Sequence, residues 1–368
     1  MMLNTSKKKV AILGAGVSGL SCAIELEKYG IYPDIYETNK LLGSRGFNHA
    51  LGWINLMYRP VRDPMIYLEE KYNIPLRAIE EIRRVNFYTA NNFATMTGKL
   101  GYIHMAGPDE RGILAQLKAF IKSPIHFNAI VNFRDLAKEY EHVVIATGTP
   151  EIPKLLGVWK TDVVGYVRGA TVKGYFDPYT VVMWLNTKYA QRAYAYFVPW
   201  NDRKGSLILN CQEITGHAAG KMYDMFIDDI KWDVEFEEFH ETPHTIGHVQ
   251  RHQIDNLYLI GLAGGFLDPL FAFGNIESIE SGLAAARSIA LGWDFTKQIH
   301  LWLRRNQQLL MLRRYVDKFK DEDFDKVFDV VKSPGFRTIV SKTNINIIYI
   351  ISKLANTLAG DKVDRVLW

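Results

Sequence analysis

The chain has 368 residues, enough for one hydrophobic core to divide into two or three domains. Hydrophobic residues make up 48% and charged residues 23%, an ordinary globular balance that lacks the polar bias of disorder, while 19 Tyr, 19 Phe and 8 Trp suit a large apolar cavity or a thick core. A formal net charge of +4 is too slight for a nucleic-acid footprint, and no uninterrupted apolar run approaches the roughly 20 residues that span a bilayer.

Residues 9–13 read as a buried strand, 17–29 as a helix and 33–36 as a second strand, a β-α-β start. The preceding segment has no apolar stretch before a cleavage site and is not expected to be a signal peptide. A helix is expected over 63–72, strands near 85–89 and 100–104, a helix over 109–121, and short strands at 125–127 and 142–146 that return to the first sheet. Between 162 and 209, β-branched and aromatic segments alternate with Gly, Asp, Asn and Pro, the pattern of an antiparallel sheet. Residues 257–261 form another buried strand, followed by a Gly-rich turn and a helix over 275–291. From 296 onward the pattern is helical and amphipathic.

After the first strand stands Gly14-Ala15-Gly16-Val17-Ser18-Gly19. The first glycine makes a tight turn, the second lets the backbone approach a pyrophosphate, and the third lets helix and strand pack closely, with the phosphates on the helix N-terminus. Glu37, at the end of the second strand, offers a carboxylate to a ribose diol and would repel a 2′-phosphate. With strand, helix, second strand and acid all in place, the N-terminal segment is expected to bind a dinucleotide. Motif and spacing alone do not separate FAD from NAD.

Three later segments separate them by resemblance. HVVIATG at 142–148 resembles the strand ending in ATG that follows the adenine site of two-dinucleotide-fold flavoproteins, and LYLIGLAGGF at 257–266 resembles their late strand and ribityl turn. Asp268-Pro269-Leu270, Gly274-Asn275-Ile276, Glu280-Ser281-Gly282 and Ala284-Ala285-Ala286 resemble the helix that faces the flavin pyrimidine ring. AYAYFVPW at 193–200 is similar to the YxWxFP signature of geranylgeranyl reductases. The chain thus resembles the geranylgeranyl reductase-like branch of the hydroxylase-type flavoproteins over about residues 8–295. It departs at Leu262, where the family has an aspartate, at Tyr196, which replaces a tryptophan, and at Phe271-Ala272-Phe273, which replaces a smaller and more polar run.

The resemblance implies FAD as cofactor. Gly14, Ala15, Gly16, Val17, Ser18 and Gly19 would meet the pyrophosphate and Glu37 the adenosine ribose. Val131 would meet the adenine through its backbone and Arg45 would lie near the phosphates or flavin, with Gly148 and Arg111 as further candidate FAD contacts. Gly261, Ala263, Gly274, Asn275 and Ile276 would line the ribityl chain and ring. Trp53, Tyr194, Tyr196, Phe271 and Phe273 are candidate walls of an apolar substrate cavity, and no acid is singled out as a proton donor. The implied fold is α/β: a Rossmann-like FAD-binding domain of three-layer ββα type from residues 1–60, 100–155 and 245–295, an inserted antiparallel sheet domain from 61–99 and 156–244, and a helical region over 296–368. The implied function is an FAD-dependent oxidoreductase acting on a largely apolar substrate, with prenyl double bonds the first expectation. The alternatives are an aromatic hydroxylase and a non-catalytic protein that holds a prenyl group or a partner.

His240, His244, His248 and His252 recur every four residues as metal ligands on a helix would, but Pro243 and Gly247 interrupt that helix and no metal site is expected. No second GxGxxG provides a nicotinamide domain, so a transiently docked NAD(P)H and a protein electron donor both stay open. Arg304, Arg305, Arg313, Arg314, Lys318 and Lys320 beside Trp302, Leu309 and Leu312 make a basic amphipathic helix that could lie on anionic lipid, although packing on the FAD domain is the preferred use; the stripe Ile347, Ile351, Leu354 and Leu358 raises the same choice. Cys22 and Cys211 form neither a disulfide framework nor a CxxC pair, which points to a reducing, cytoplasmic location, with membrane contact at most peripheral.

Overall fold

The computed structural model describes residues 8–44, 47–212, 214–333, 335, 336, 343, 346 and 349. Arg45 and the stripe Ile347, Ile351, Leu354 and Leu358 lie outside the described residues.

The first of two sheets takes its strands from distant parts of the chain. Its order is Gln253–Ile254, Leu257–Leu259, His142–Ile145, Val10–Leu13, Asp34–Tyr36 and Ile125–His126, with every pair parallel except the first. Val10–Leu13 is buried along its whole length, as a central strand covered on both faces must be, and so it reads as a continuous apolar run. The helices Val17–Lys28 and Asn275–Leu291 cross above it. A Cβ on Gly282 would lie 2.3 Å from the Ser18 carbonyl oxygen, so that glycine sets the distance between the two helices.

The second sheet runs in the order Glu235–Val249, Trp159–Lys173, Lys204–Gln212, Ala195–Pro199, Thr180–Leu185, Glu80–Thr89, Phe93–Ala106 and His49–Ile54. The expected antiparallel pairing of the inserted segment is present, but Glu80–Thr89 pairs with Thr180–Leu185 in parallel, and His49–Ile54 joins this sheet rather than the first. The sheet curls. Its edge strand returns over the middle, where the Ala50 backbone N–H donates to Ser206 Oγ at 2.9 Å, and the concave side fills with Ala50, Ile82, Val85, Ile103, Met105, Val181 and Val198. The helix Gly216–Ile230, which the sequence pattern did not reveal, covers the convex side with Ala219, Tyr223 and Phe226 against Phe197, Leu207 and Leu209.

His240, His244 and His248 lie on the strand Glu235–Val249 and not on a helix, and His252 follows it. Among the described residues no group of three or more metal-ligating side chains comes together. The helix expected over 109–121 is shorter, Ile113–Lys118, and starts after Gly112. The basic helix is Phe295–Val316; its Arg305 and Arg313 are buried, which removes both from any lipid-facing surface. Among the described residues no helix is long and apolar enough to cross a membrane.

Candidate functional site

The three glycines after the first strand have three different surroundings. Gly14 has φ +108°, and a Cβ there would lie 2.3 Å from the Ala146 carbonyl oxygen; a Cβ on Gly19 would lie 2.1 Å from the Gly14 oxygen. Gly14 therefore serves the turn and Gly19 the packing of helix on strand. A Cβ on Gly16 would meet nothing within 4 Å, so the open space lies beside Gly16, the N-cap of a helix that has no side-chain cap. Uncapped first-turn N–H groups next to open space suit a pyrophosphate.

Glu37 borders the same space. Its Oε2 accepts from the Ala15 N–H at 3.0 Å and its Oε1 from the Asn39 N–H at 2.9 Å and Asn39 Nδ2 at 2.7 Å. Beside it runs the segment that leads to Val131, tied by Glu37 N–H to His126 O at 2.9 Å and Ala129 N–H to Glu37 O at 2.9 Å. Gly148, at φ +67°, lies in the turn after His142–Ile145. Arg111 is half exposed and paired bidentately with Asp109, at 2.9 and 3.1 Å, in the segment that follows the contact between the Gly43 and Gly107 turns. Glu37→Ala is expected to weaken dinucleotide binding by about 1–3 kcal/mol, the loss of an acceptor for a hydroxyl and of the brace on Ala15, measured by titrating apo-protein with FAD. An unchanged dissociation constant would remove Glu37 from the site.

At the other end of the cradle, Gly261 has φ +56° and opens a 3₁₀ turn over Gly261–Gly264; its N–H donates to Ser281 Oγ at 3.0 Å, and a Cβ on it would lie 2.4 Å from Ser18 Oγ. This locks the turn against the glycine-loop helix. Leu262 is half-buried there and Ala263 fully buried. Gly274 caps the helix Asn275–Leu291 without a side-chain cap, leaving the first-turn N–H groups of Asn275 and Ile276 toward the turn before it. The two uncapped helix starts and the open flank of Gly16 fit an extended dinucleotide, and FAD fits the site on these features.

The five candidate cavity residues come together. Tyr196 neighbours Tyr194 at 5.8 Å between ring centroids, Tyr194 neighbours Phe271 at 6.3 Å, and Phe271 neighbours Phe273 at 6.2 Å. Phe273 then meets Tyr58 at 6.4 Å, Tyr58 meets Trp53 at 6.5 Å, and Trp53 meets His104 at 4.3 Å. One aromatic run thus extends from the concave side of the curled sheet to the helix start at Gly274. The Tyr194 hydroxyl donates to the Phe271 carbonyl and fixes the loop that carries both phenylalanines.

Tyr58 and His104 were not found by sequence reasoning. His104 reaches the run because Leu51 pairs with it across the strands, which puts it on the face that Trp53 shares. Among the described residues the Trp53 Nε1, the Tyr58 hydroxyl and both His104 nitrogens have no hydrogen-bond partner although the three side chains are essentially inaccessible. Burial pushes the His104 imidazole down to about 3, so it is neutral, and pushes the Tyr58 phenol up. Next to Tyr58 lies a buried charge cluster. Arg305 donates to Glu277 Oε1 and, through Nε and a terminal nitrogen, to the Met57 carbonyl at 3.1 and 2.7 Å, with Asp268 Oδ2 3.9 Å away. Asp268 Oδ1 accepts from the Leu270 and Phe271 N–H groups at 2.8 and 2.7 Å.

No protein-family model matches the sequence, and no curated protein matches it. Solved structures do share the fold. A geranylgeranyl bacteriochlorophyll reductase-like protein from Thermoplasma acidophilum superposes with a TM-score of 0.73 at 14% identity, covering 94% of this chain and 98% of that one. The flavin-dependent brominase Bmp2 gives 0.64 at 15%, covering 98% and 95%, and a flavoprotein/dehydrogenase from Cytophaga hutchinsonii gives 0.63 at 14%, covering 97% and 100%. The α/β architecture, with its parallel sheet, inserted curled sheet and C-terminal helices, is the fold that these solved structures share.

Proposed function

We propose that this chain is an FAD-dependent oxidoreductase that acts on a largely apolar, isoprenoid-like substrate, reducing a carbon–carbon double bond or forming one. The observation that carries this reading is the aromatic run, which ends at the uncapped helix start of Gly274–Ile276, where the fold's cofactor ring is expected. The loop Gly14–Gly19 and Glu37 would hold the ADP half; Gly261, Ala263 and Gly274 to Ile276 would hold the ribityl chain and ring. When bound, FAD supplies hydride transfer. Tyr194, Phe271 and Phe273 would exclude water and orient an apolar chain, and NAD(P)H docking transiently is the electron source in this reading. Similarity in fold to a reductase-like protein and to halogenating and dehydrogenating flavoproteins supports the cofactor.

The test is direct. Purified full-length chain should be yellow, bleach with NADPH under anaerobic conditions, and recover its colour on addition of a prenyl lipid whose double bond is consumed. A colourless protein that takes up no FAD overturns the reading, and oxygen consumed in step with NADPH would mark a hydroxylase instead. Leu262→Asp offers a finer check. Because Leu262 is half-buried rather than core, a carboxylate there can accept from ribityl hydroxyls at modest desolvation cost, and FAD affinity is expected to rise about tenfold, roughly 1–2 kcal/mol. Loss of folding in that variant would show that the turn does not border the ribityl chain.

A further inference from the structure

We propose that Glu277 is protonated at neutral pH and is the buried proton store of the site, its Oε2–H held in a cluster with ionised Asp268 and the Arg305 guanidinium. Three elements meet here: the helix Asn275–Leu291 brings Glu277, the loop before it brings Asp268, and the helix Phe295–Val316 brings Arg305. Glu277 and Asp268 are both completely buried and Arg305 is nearly so, which leaves two acids for one cation in a region that water does not reach. Two ionised carboxylates would leave one buried negative charge uncompensated; a single proton removes it.

The hydrogen bonds decide which acid holds that proton. Asp268 accepts two backbone N–H groups on Oδ1, which favours its ionised form. Glu277 gives Oε1 to Arg305, and each acid keeps one oxygen, Glu277 Oε2 and Asp268 Oδ2, with no hydrogen-bond partner among the described residues, so the two backbone N–H groups on Asp268 set the acids apart. A protonated carboxyl keeps that arrangement, because its carbonyl oxygen still accepts from the guanidinium. The other groups that face the cluster push the same way or are neutral: Glu280 on the same helix adds negative charge, and Tyr58 on the turn Asn55–Tyr58 stays a phenol. Burial is the leading cause that raises both acids, with Arg305 opposing it.

The chemical use of this proton rests on the proposed flavin reading; its presence does not. In the reduction of a double bond, with NAD(P)H as the source of hydride by way of FAD, the carbon left electron-rich by hydride addition forms its second C–H bond with a proton. Glu277 is the buried acid that would hold that proton, and Tyr58 borders both the cluster and the aromatic run, its ring centroid 6.0 Å from the Arg305 guanidinium carbon and 6.4 Å from that of Phe273. The Glu277 O–H bond breaks, its electron pair stays on Oε2, and the cluster carries one net negative charge until a proton returns to it.

Infrared spectroscopy of the full-length protein in H₂O and D₂O tests the store without reference to activity or flavin. The expected result is a protonated-carboxyl stretching band at neutral pH that shifts in D₂O, moves when glutamate but not aspartate is labelled with ¹³C, and is lost in Glu277→Gln, with Glu277→Gln folded as well as the wild type because its amide mimics the neutral acid. Absence of the band in the wild type overturns the proposal, as does its persistence in Glu277→Gln. A Glu277→Gln chain that cannot fold also overturns it, since the cluster would then require the charge. If the protein binds flavin normally and the band is absent, only the proton store fails; if the band is present and no flavin binds, only the oxidoreductase reading fails.

Discussion

Replacing Gly16 with valine is expected to leave the protein folded and to lower its affinity for FAD by at least about tenfold. Gly16 has φ −79°, a conformation open to any L-residue, and a Cβ there touches nothing in the protein, so the fold has no reason to object. The added methyl groups would instead stand where the pyrophosphate must approach the first-turn N–H groups of Val17–Lys28. Each charge-assisted hydrogen bond lost there is worth about 1.5–3 kcal/mol, and tenfold in affinity is about 1.4 kcal/mol. Gly14→Val is the control with the opposite signature. Its backbone is at φ +108° with the Ala146 oxygen 2.3 Å from the new Cβ, and it should damage the sheet before any ligand is considered. Titration of apo-protein with FAD, alongside thermal unfolding followed by circular dichroism, separates the two. A Gly16→Val protein that binds FAD as tightly as the wild type would mean that the open flank of this glycine is not the phosphate site.

The parts of this molecule that could be read in advance are those whose geometry is written locally. Gly14, Gly16 and Gly19 serve the turn, the open flank and the helix packing that their spacing implied, because all three roles depend on atoms within a short stretch of chain. Trp53, Tyr194, Tyr196, Phe271 and Phe273 could be named because large aromatic side chains have few places to go. Their order could not be read, since it depends on the curl of the second sheet and on the parallel pairing of Glu80–Thr89 with Thr180–Leu185, contacts between residues about a hundred positions apart. His104 was missed for the same reason: only the register that sets it opposite Leu51 makes it a neighbour of Trp53. The basic face over 304–320 is a pattern that allows two uses, and packing, the one preferred from the sequence, is where Arg305 and Arg313 fall. Arg305 and Arg313 look like surface cations on an amphipathic helix until their partners are known, and those partners, Met57, Asp268 and Glu277 for one and Arg192, Gln212 and Asp317 for the other, lie mostly in distant segments.

Arg305→Met should be among the most damaging single changes in the chain, costing about 3–5 kcal/mol, the usual penalty for removing one partner of a buried ion cluster. That is a large share of the roughly 5–15 kcal/mol that holds a typical domain together. Methionine fills much of the same volume, so the loss is electrostatic. The Met57 carbonyl loses both of its donors, which frees the turn Asn55–Tyr58 from the helix, and Asp268 and Glu277 lose the only cation that faces them among the described residues. The pH dependence tests the cause. Burial already raises both acids in the folded protein, and the guanidinium restrains that rise; without it the folded-state values climb further above those of the unfolded chain. A group raised on folding contributes stability that is fully present below its unfolded value, near pH 4, and is lost as pH rises through the folded value. The deficit of Arg305→Met relative to wild type should therefore be smallest in mild acid and grow toward neutral and alkaline pH. Urea midpoints of the two proteins, compared at each pH so that other titrating groups cancel, give the measurement. A deficit that stays constant with pH would locate the damage in packing around Met57 rather than in the charges of Asp268 and Glu277.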